Sequence, residues 1–224
     1  MITEAVANAL PIAIGIALSP LAIAALMIIL MTRRAKINAP AFLLGWLLGF
    51  LVVGTLASLI PGVETEPGQH STLPGCVRIA LGVLLLFLAL LQWLRRPLAG
   101  KEAPLPSFFG HLDDMEPSQS CLTGFLLSAA HPKNLPLIAA GVAAIGVYDL
   151  RLYAEIIAFS IFIAIASTTI ILPIAAYFLA KRSAAALFKR WKNWLLRNNS
   201  IVMILLLFVF GVLLIGRGLK ILAA

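Results

Sequence analysis

Six stretches of this chain stay apolar for about 20 residues or more, the length an α-helix needs to cross a hydrocarbon core of about 30 Å. They run roughly 5–31, 38–60, 74–94, 120–145, 151–180 and 199–221. In lipid, every backbone N–H and C=O must find its partner inside the protein, so only helices and closed barrels can span. None of the stretches shows the two-residue alternation of a barrel strand. The expected fold is therefore an all-α polytopic membrane protein with six transmembrane helices. The chain is 62% hydrophobic and 12% charged, with a mean hydropathy of +1.04, whereas soluble domains are about half apolar and a quarter charged. Met1-Ile2-Thr3-Glu4 offers no basic lead-in, and the apolar run after it exceeds a signal-peptide core, so the first stretch is read as a retained helix.

The net charge of +8 is gathered into a few connections. The first holds Arg33, Arg34 and Lys36, the third opens with Arg95, Arg96 and Lys101, and the fifth carries Lys181, Arg182, Lys189, Arg190, Lys192 and Arg197. The second holds Glu64 and Glu66, with no Lys or Arg before Arg78, and the fourth holds Asp149 and Arg151. The positive-inside rule then places the odd connections in the cytoplasm and both termini outside, in a multi-pass cell (inner) membrane protein. Arg217 and Lys220 dissent from that pattern.

The chain is organised around Ala130-His131-Pro132-Lys133-Asn134-Leu135-Pro136, about a dozen residues into the fourth stretch. A Lys at that depth must face protein or a water-filled cavity. Pro132 and Pro136 each lack an N–H and break or kink the helix, freeing carbonyls that need partners. Leu18-Ser19-Pro20 makes a similar interruption in the first stretch. Three-helix units that begin on opposite sides of the membrane imply inverted repeats, residues 1–96 and 120–224, joined by a cytoplasmic linker at 97–119, with both breaks meeting near the midplane. The bland alternative is that Pro and small residues are common in membrane helices.

Other features carry weaker signals. In 97–119, His111, Asp113, Asp114 and Glu116 resemble an oxygen-rich metal set, but their spacing fits no compact ligand set, so no metal or cofactor is assigned. Residues 181–197 read as an amphipathic interfacial helix. Ala184, Leu187, Phe188, Trp191, Trp194 and Leu195 share one face, and Lys181, Arg182, Lys189, Lys192 and Arg197 the other. Arg190, Lys189, Lys192, Trp191 and Trp194 are its expected contacts with anionic membrane lipids. Ser167, Thr168 and Thr169 precede Pro173, and either satisfy carbonyls freed by a kink or line a polar path. Gly45, Gly49 and Gly54 suit close helix packing. Cys76 and Cys121 begin helices at opposite faces, too far apart to pair.

The layout, the Ser19-Pro20 break, the Thr32-Arg33-Arg34-Ala35-Lys36 turn and the His131-Pro132-Lys133-Asn134 motif resemble the lysine exporter superfamily, with His131 standing where an Asn is usual. Within it, Leu18-Ser19-Pro20 and His131-Pro132-Lys133-Asn134-Leu135 are most similar to the GAP branch of glycopeptidolipid-addressing, or Sap-type, proteins. The resemblance implies export across the inner membrane of an amphipathic envelope lipid or its precursor. Ser19, Pro20, His131, Pro132, Lys133 and Asn134 would form the substrate site, with Lys133 holding an anionic head group. His131 is either a proton-coupling group or a structural partner.

The competing function is a small-solute exporter of amino-acid type. The spans hold no carboxylate except Glu4 and Glu155 at their edges, which disfavours a metal cargo. No nucleophile–base pair suggests an enzyme, and no interleaving of aromatic and basic residues suggests nucleic acid. A homodimer and a larger envelope-lipid export machinery stay open as partners.

Overall fold

A computed structural model describes residues 1–59, 73–94, 115–180 and 184–223. All the regular elements among them are helical. The chain begins with α1 (Ile2–Ala17) and α2 (Pro20–Met31), followed by α3 (Ala35–Ser58) and α4 (Leu73–Leu94). Next come α5 (Pro117–Phe125), one π-helical turn (Leu126–Ala130), α6 (Asn134–Gly146), α7 (Leu152–Ala166), α8 (Thr168–Ala180) and α9 (Ala184–Leu222). Three helices within α3, α4 and α9 are long and apolar enough to cross a membrane, and the bent pairs α1–α2 and α7–α8 raise the number to five. The fourth predicted stretch is α5, the π turn and α6, of which α6 is a shorter apolar helix.

Local sequence explains the interruptions. Pro20 occupies the first turn of α2, where its missing N–H costs nothing, and it prevents α1 from running on. Ser19 ahead of it is extended, as a residue before proline prefers, and α2 leaves α1 at 56°. His131, ahead of Pro132, is extended for the same reason and closes the π turn. The third break differs from expectation. It falls at Ser167, with a 63° bend, while Pro173 lies inside α8. A proline strips its partner from, and crowds, the carbonyl four residues earlier, here that of Thr169, so the distortion appears upstream of the ring.

The expected separate interfacial helix is corrected. Residues from 184 onward are the opening turns of the 39-residue α9, with no boundary before the apolar part. Asn198 stays inside the helix by donating from its side-chain amide to the Trp194 carbonyl at 2.8 Å. Arg190, Trp191, Trp194 and Arg197 are exposed there. Lys181 and Arg182, the side chains of Lys189 and Lys192, and linker residues His111, Asp113 and Asp114 lie outside the described residues. Glu116 begins α5 in a reciprocal capping box with Gln119.

Packing places the breaks at the centre. α3 lies against α5, α1 against α7 and α6, α2 against α9, and α4 against α9. α3 and α5 touch through backbone, because a Cβ on Gly45 would strike the Cys121 carbonyl and one on Gly124 the Phe42 carbonyl. The buried core runs through Ile12, Ile16, Leu26, Phe42, Trp46, Phe50, Leu85 and Phe162. Cys76 and Cys121 are both free.

Candidate functional site

When α1 stops at Ala17, the carbonyls of its last turn lose their helical partners. Two of them, at Gly15 and Ala17, together with the carbonyl of the C-cap Leu18, are met by residues from distant parts of the chain. The Lys133 ammonium donates to the Gly15 carbonyl at 2.8 Å and to the Leu18 carbonyl at 2.9 Å. The Thr169 hydroxyl donates to the Ala17 carbonyl at 2.6 Å. The C-terminal end of a helix is the negative end of its dipole, so a cation is stabilised there. This is how a fully buried Lys is tolerated between apolar helices. Its solvation comes from the broken end of α1, not only from the cavity or bound anion that the sequence implied.

The residues around Lys133 are fixed by the second break. The Lys133 backbone N–H donates to His131 Nδ1 at 3.3 Å, which orients the imidazole as an acceptor toward the chain. The Asn134 amide donates to the Leu127 carbonyl at 2.8 Å, inside the π turn that precedes the break. Two buried oxygens here, Ser19 Oγ and Asn134 Oδ1, have no hydrogen-bond partner among the described residues. A buried hydroxyl and a buried amide oxygen without partners mark a place where water or a ligand fits.

A cavity of about 300 Å³ opens beside this junction. Its wall is apolar, built from Leu21, Leu88, Leu91, Met203 and Leu207, and its polar part is His131, Lys133 and Gln92. Such a division suits a ligand with one charged end and one hydrocarbon end. A larger cleft of about 370 Å³, lined by Gly54, Thr55, Ser58, Val142, Glu155 and Phe159 among others, lies between α3, α6 and α7, away from the breaks.

The predicted residues thus divide. Lys133, His131 and Pro132 line the cavity, while Ser19 and Asn134 are buried at the junction and Pro20 begins α2. Ser167, Thr168 and Thr169 do not form a common path. Ser167 Oγ accepts from Trp46 Nε1 at 3.1 Å, exposed Thr168 donates to its own Ile165 carbonyl at 2.8 Å, and only Thr169 reaches α1. Gln92 was missed, being a single amide in a run of leucines. Arg78 falls inside the third predicted stretch, where it was weighed only as a marker of loop charge; it lies within α4, 6% exposed. An arginine inside a span is itself a signal for a site.

Comparison with known proteins gives one family. The family described as Sap, sulfolipid-1-addressing protein, matches residues 9–220. The match bears out the Sap-type resemblance and does not address the wider lysine exporter superfamily. No curated protein and no solved structure matches the chain.

Proposed function

The chain belongs to the Sap, sulfolipid-1-addressing protein family, and from that premise we propose that it is an inner-membrane transporter that moves an amphipathic envelope lipid, or its precursor, outward. The observation that carries this reading is Lys133, which is buried against the broken end of α1 and also lines a cavity with an otherwise apolar wall. The ammonium has three hydrogens and gives two to carbonyls, so one remains for an anionic head group. The leucines and Met203 receive the hydrocarbon. A free amino acid would leave that apolar wall unused, which disfavours the small-solute alternative.

The six-span, inverted-repeat arrangement is part of the proposal. Exchanging the first span with the fourth and the second with the fifth maps the α1–α7 contact onto the α5–α3 contact, and both pairs pack closely. The third and sixth spans pack on each other, as a twofold relation requires. In this reading the α1-start end is outside, and the cavity lies in the inner half, because it uses the last turns of α4 and the first apolar turns of α9. Exposed Arg190, Trp191 and Trp194 on the early turns of α9 rest on the anionic inner leaflet.

The test is lipid recovered from the cell surface. Cells carrying Lys133→Met should fail to deliver the lipid and accumulate it inside, while Lys133→Arg restores part of the delivery. Full delivery by the Met variant would remove Lys133 from the mechanism. For orientation, a membrane-impermeant thiol reagent should reach a single Cys at Thr65 and miss one at Ala99; the opposite pattern inverts the topology.

A further inference from the structure

A second cationic cluster lies at the other end of the α4–α9 pair, outside the site described above. The Arg78 guanidinium donates to the Ala143 carbonyl at 3.1 Å, in the last turn of α6. Arg217 on α9 donates to the Asn8 carbonyl of α1 at 3.0 Å. The Asn8 side chain donates to the Ala144 carbonyl at 3.0 Å, so both guanidinium contacts converge on one α1–α6 corner. Gly218, next to Arg217, packs against Ile79, next to Arg78, which sets the two arginines on adjoining turns of α4 and α9.

Each guanidinium has five donors, and among the described residues one hydrogen bond apiece leaves most of them unused. Among the described residues neither has a carboxylate within ion-pair distance. Arg78 is buried and Arg217 half-buried near the end of α9, and two converging guanidiniums there are stabilised when an anion sits between them. The planar fork matches the paired oxygens of a tetrahedral oxyanion.

We propose that Arg78 and Arg217 form a second station, binding a sulfate- or phosphate-type oxyanion head group in the half of the protein opposite the Lys133 cavity. Helix periodicity relates the two stations. On α4, Arg78, Leu85 and Gln92 recur at seven-residue steps and share a face; on α9, Met203, Phe210 and Arg217 do the same in the opposite direction. Fourteen residues at 1.5 Å each put the stations about 21 Å apart along both helices. Buried Leu85, Phe210 and Leu214 lie between them. Beside the arginines the two helices are in backbone contact, since a Cβ on Gly82 would come within 2.7 Å of the Gly211 carbonyl and one on Gly218 within 2.7 Å of the Gly75 carbonyl. The arrangement is closed at the arginine end and open at the Lys133 end. A head group taken up at Lys133 would pass to the arginine pair when that apolar barrier parts. The direction of travel rests on the transport reading above; the anion site itself does not.

The experiment uses the purified full chain in zwitterionic detergent, with unfolding followed by tryptophan fluorescence. Sodium sulfate, compared with sodium chloride at equal ionic strength, should raise the midpoint in a saturable way for the wild type and for Lys133→Met. The rise should vanish in Arg78→Gln with Arg217→Gln. If that pair does not fold, Arg78→Lys with Arg217→Lys keeps the charge and should bind sulfate at least tenfold more weakly. A sulfate response absent from the wild type, or unchanged in either pair of variants, overturns the site. Nanodiscs of phosphatidylcholine with and without phosphatidylglycerol separate the sources. A midpoint shift that requires the anionic lipid and the arginines assigns a lipid head group, and a shift with sulfate alone assigns a free anion. Retention of the sulfate response in a Lys133→Met protein that still exports lipid would sink the transport reading and leave this site standing.

Discussion

The two breaks that meet at Lys133 are both made by a proline, yet they do opposite things. The break after α1 offers its side-chain partners acceptors, the carbonyls of Gly15, Ala17 and Leu18. The break before α6 brings the donor, a Lys one residue beyond Pro132. Neither is tolerable alone in lipid, one for its unmet carbonyls and the other for its unpaired charge. The third break, at Ser167, carries no charge and is served by hydroxyls and the Trp46 indole. A broken membrane helix is therefore stable only with its complement, and the complement sits far away in sequence.

The comparison is broken most severely at Lys133. In Lys133→Met two buried carbonyls lose their donor, each worth about 1–3 kcal/mol. The variant should unfold several degrees lower in detergent and should not export. Sequence alone shows only the cost of burying the charge, which by itself would leave the Met variant equally stable or more so. An unchanged melting midpoint would show that the α1 end does not depend on Lys133.

Thr169→Val removes one neutral hydrogen bond to Ala17 and tests whether the hydroxyl shares the burden. The expected loss is about 1 kcal/mol, read as a smaller midpoint shift than that of Lys133→Met. Trp46→Phe removes the bond to Ser167 and should cost a similar amount plus the smaller ring volume; a loss larger than that of Lys133→Met would make the third break, not the first, the dominant joint. The smallest effect is expected at Ser19. Its hydroxyl has no partner among the described residues, so Ser19→Ala should leave stability within about 0.5 kcal/mol. Export that falls in this variant at unchanged stability would identify the hydroxyl as a substrate contact. Unchanged export would assign it to the backbone turn alone.

Much of this was legible in the residues. Prolines dictated two of the three breaks, because their effect is local and steric. The six stretches matched described helices to within a few residues at most ends, because apolar length is a direct physical requirement of the bilayer. What escaped was what acts at a distance or against a local cue. The partners of Lys133 are carbonyls, which leave no mark in a sequence. Pro173 drew attention to itself while the helix gave way at Ser167. The basic stretch before Ile201 has the composition of a surface helix, but nothing in Trp194–Ser200 forces a stop, so it continues into the span. Arg78 was masked by its nearness to an expected loop end.

The long reach of the Lys133 bonds sets an order of events during biosynthesis. The Leu18 carbonyl is synthesised 115 residues before the side chain that satisfies it, and the Ala17 carbonyl 152 residues before the Thr169 hydroxyl. At roughly 5–20 residues per second, the ribosome leaves the end of α1 without its final partners for about 6–30 seconds. Over that interval the first helix needs water, the insertion machinery or neighbouring lipid head groups to hold its open end. A chain stopped after α4 would never escape that condition, so the N-terminal portion is a passenger that waits for the C-terminal portion to arrive.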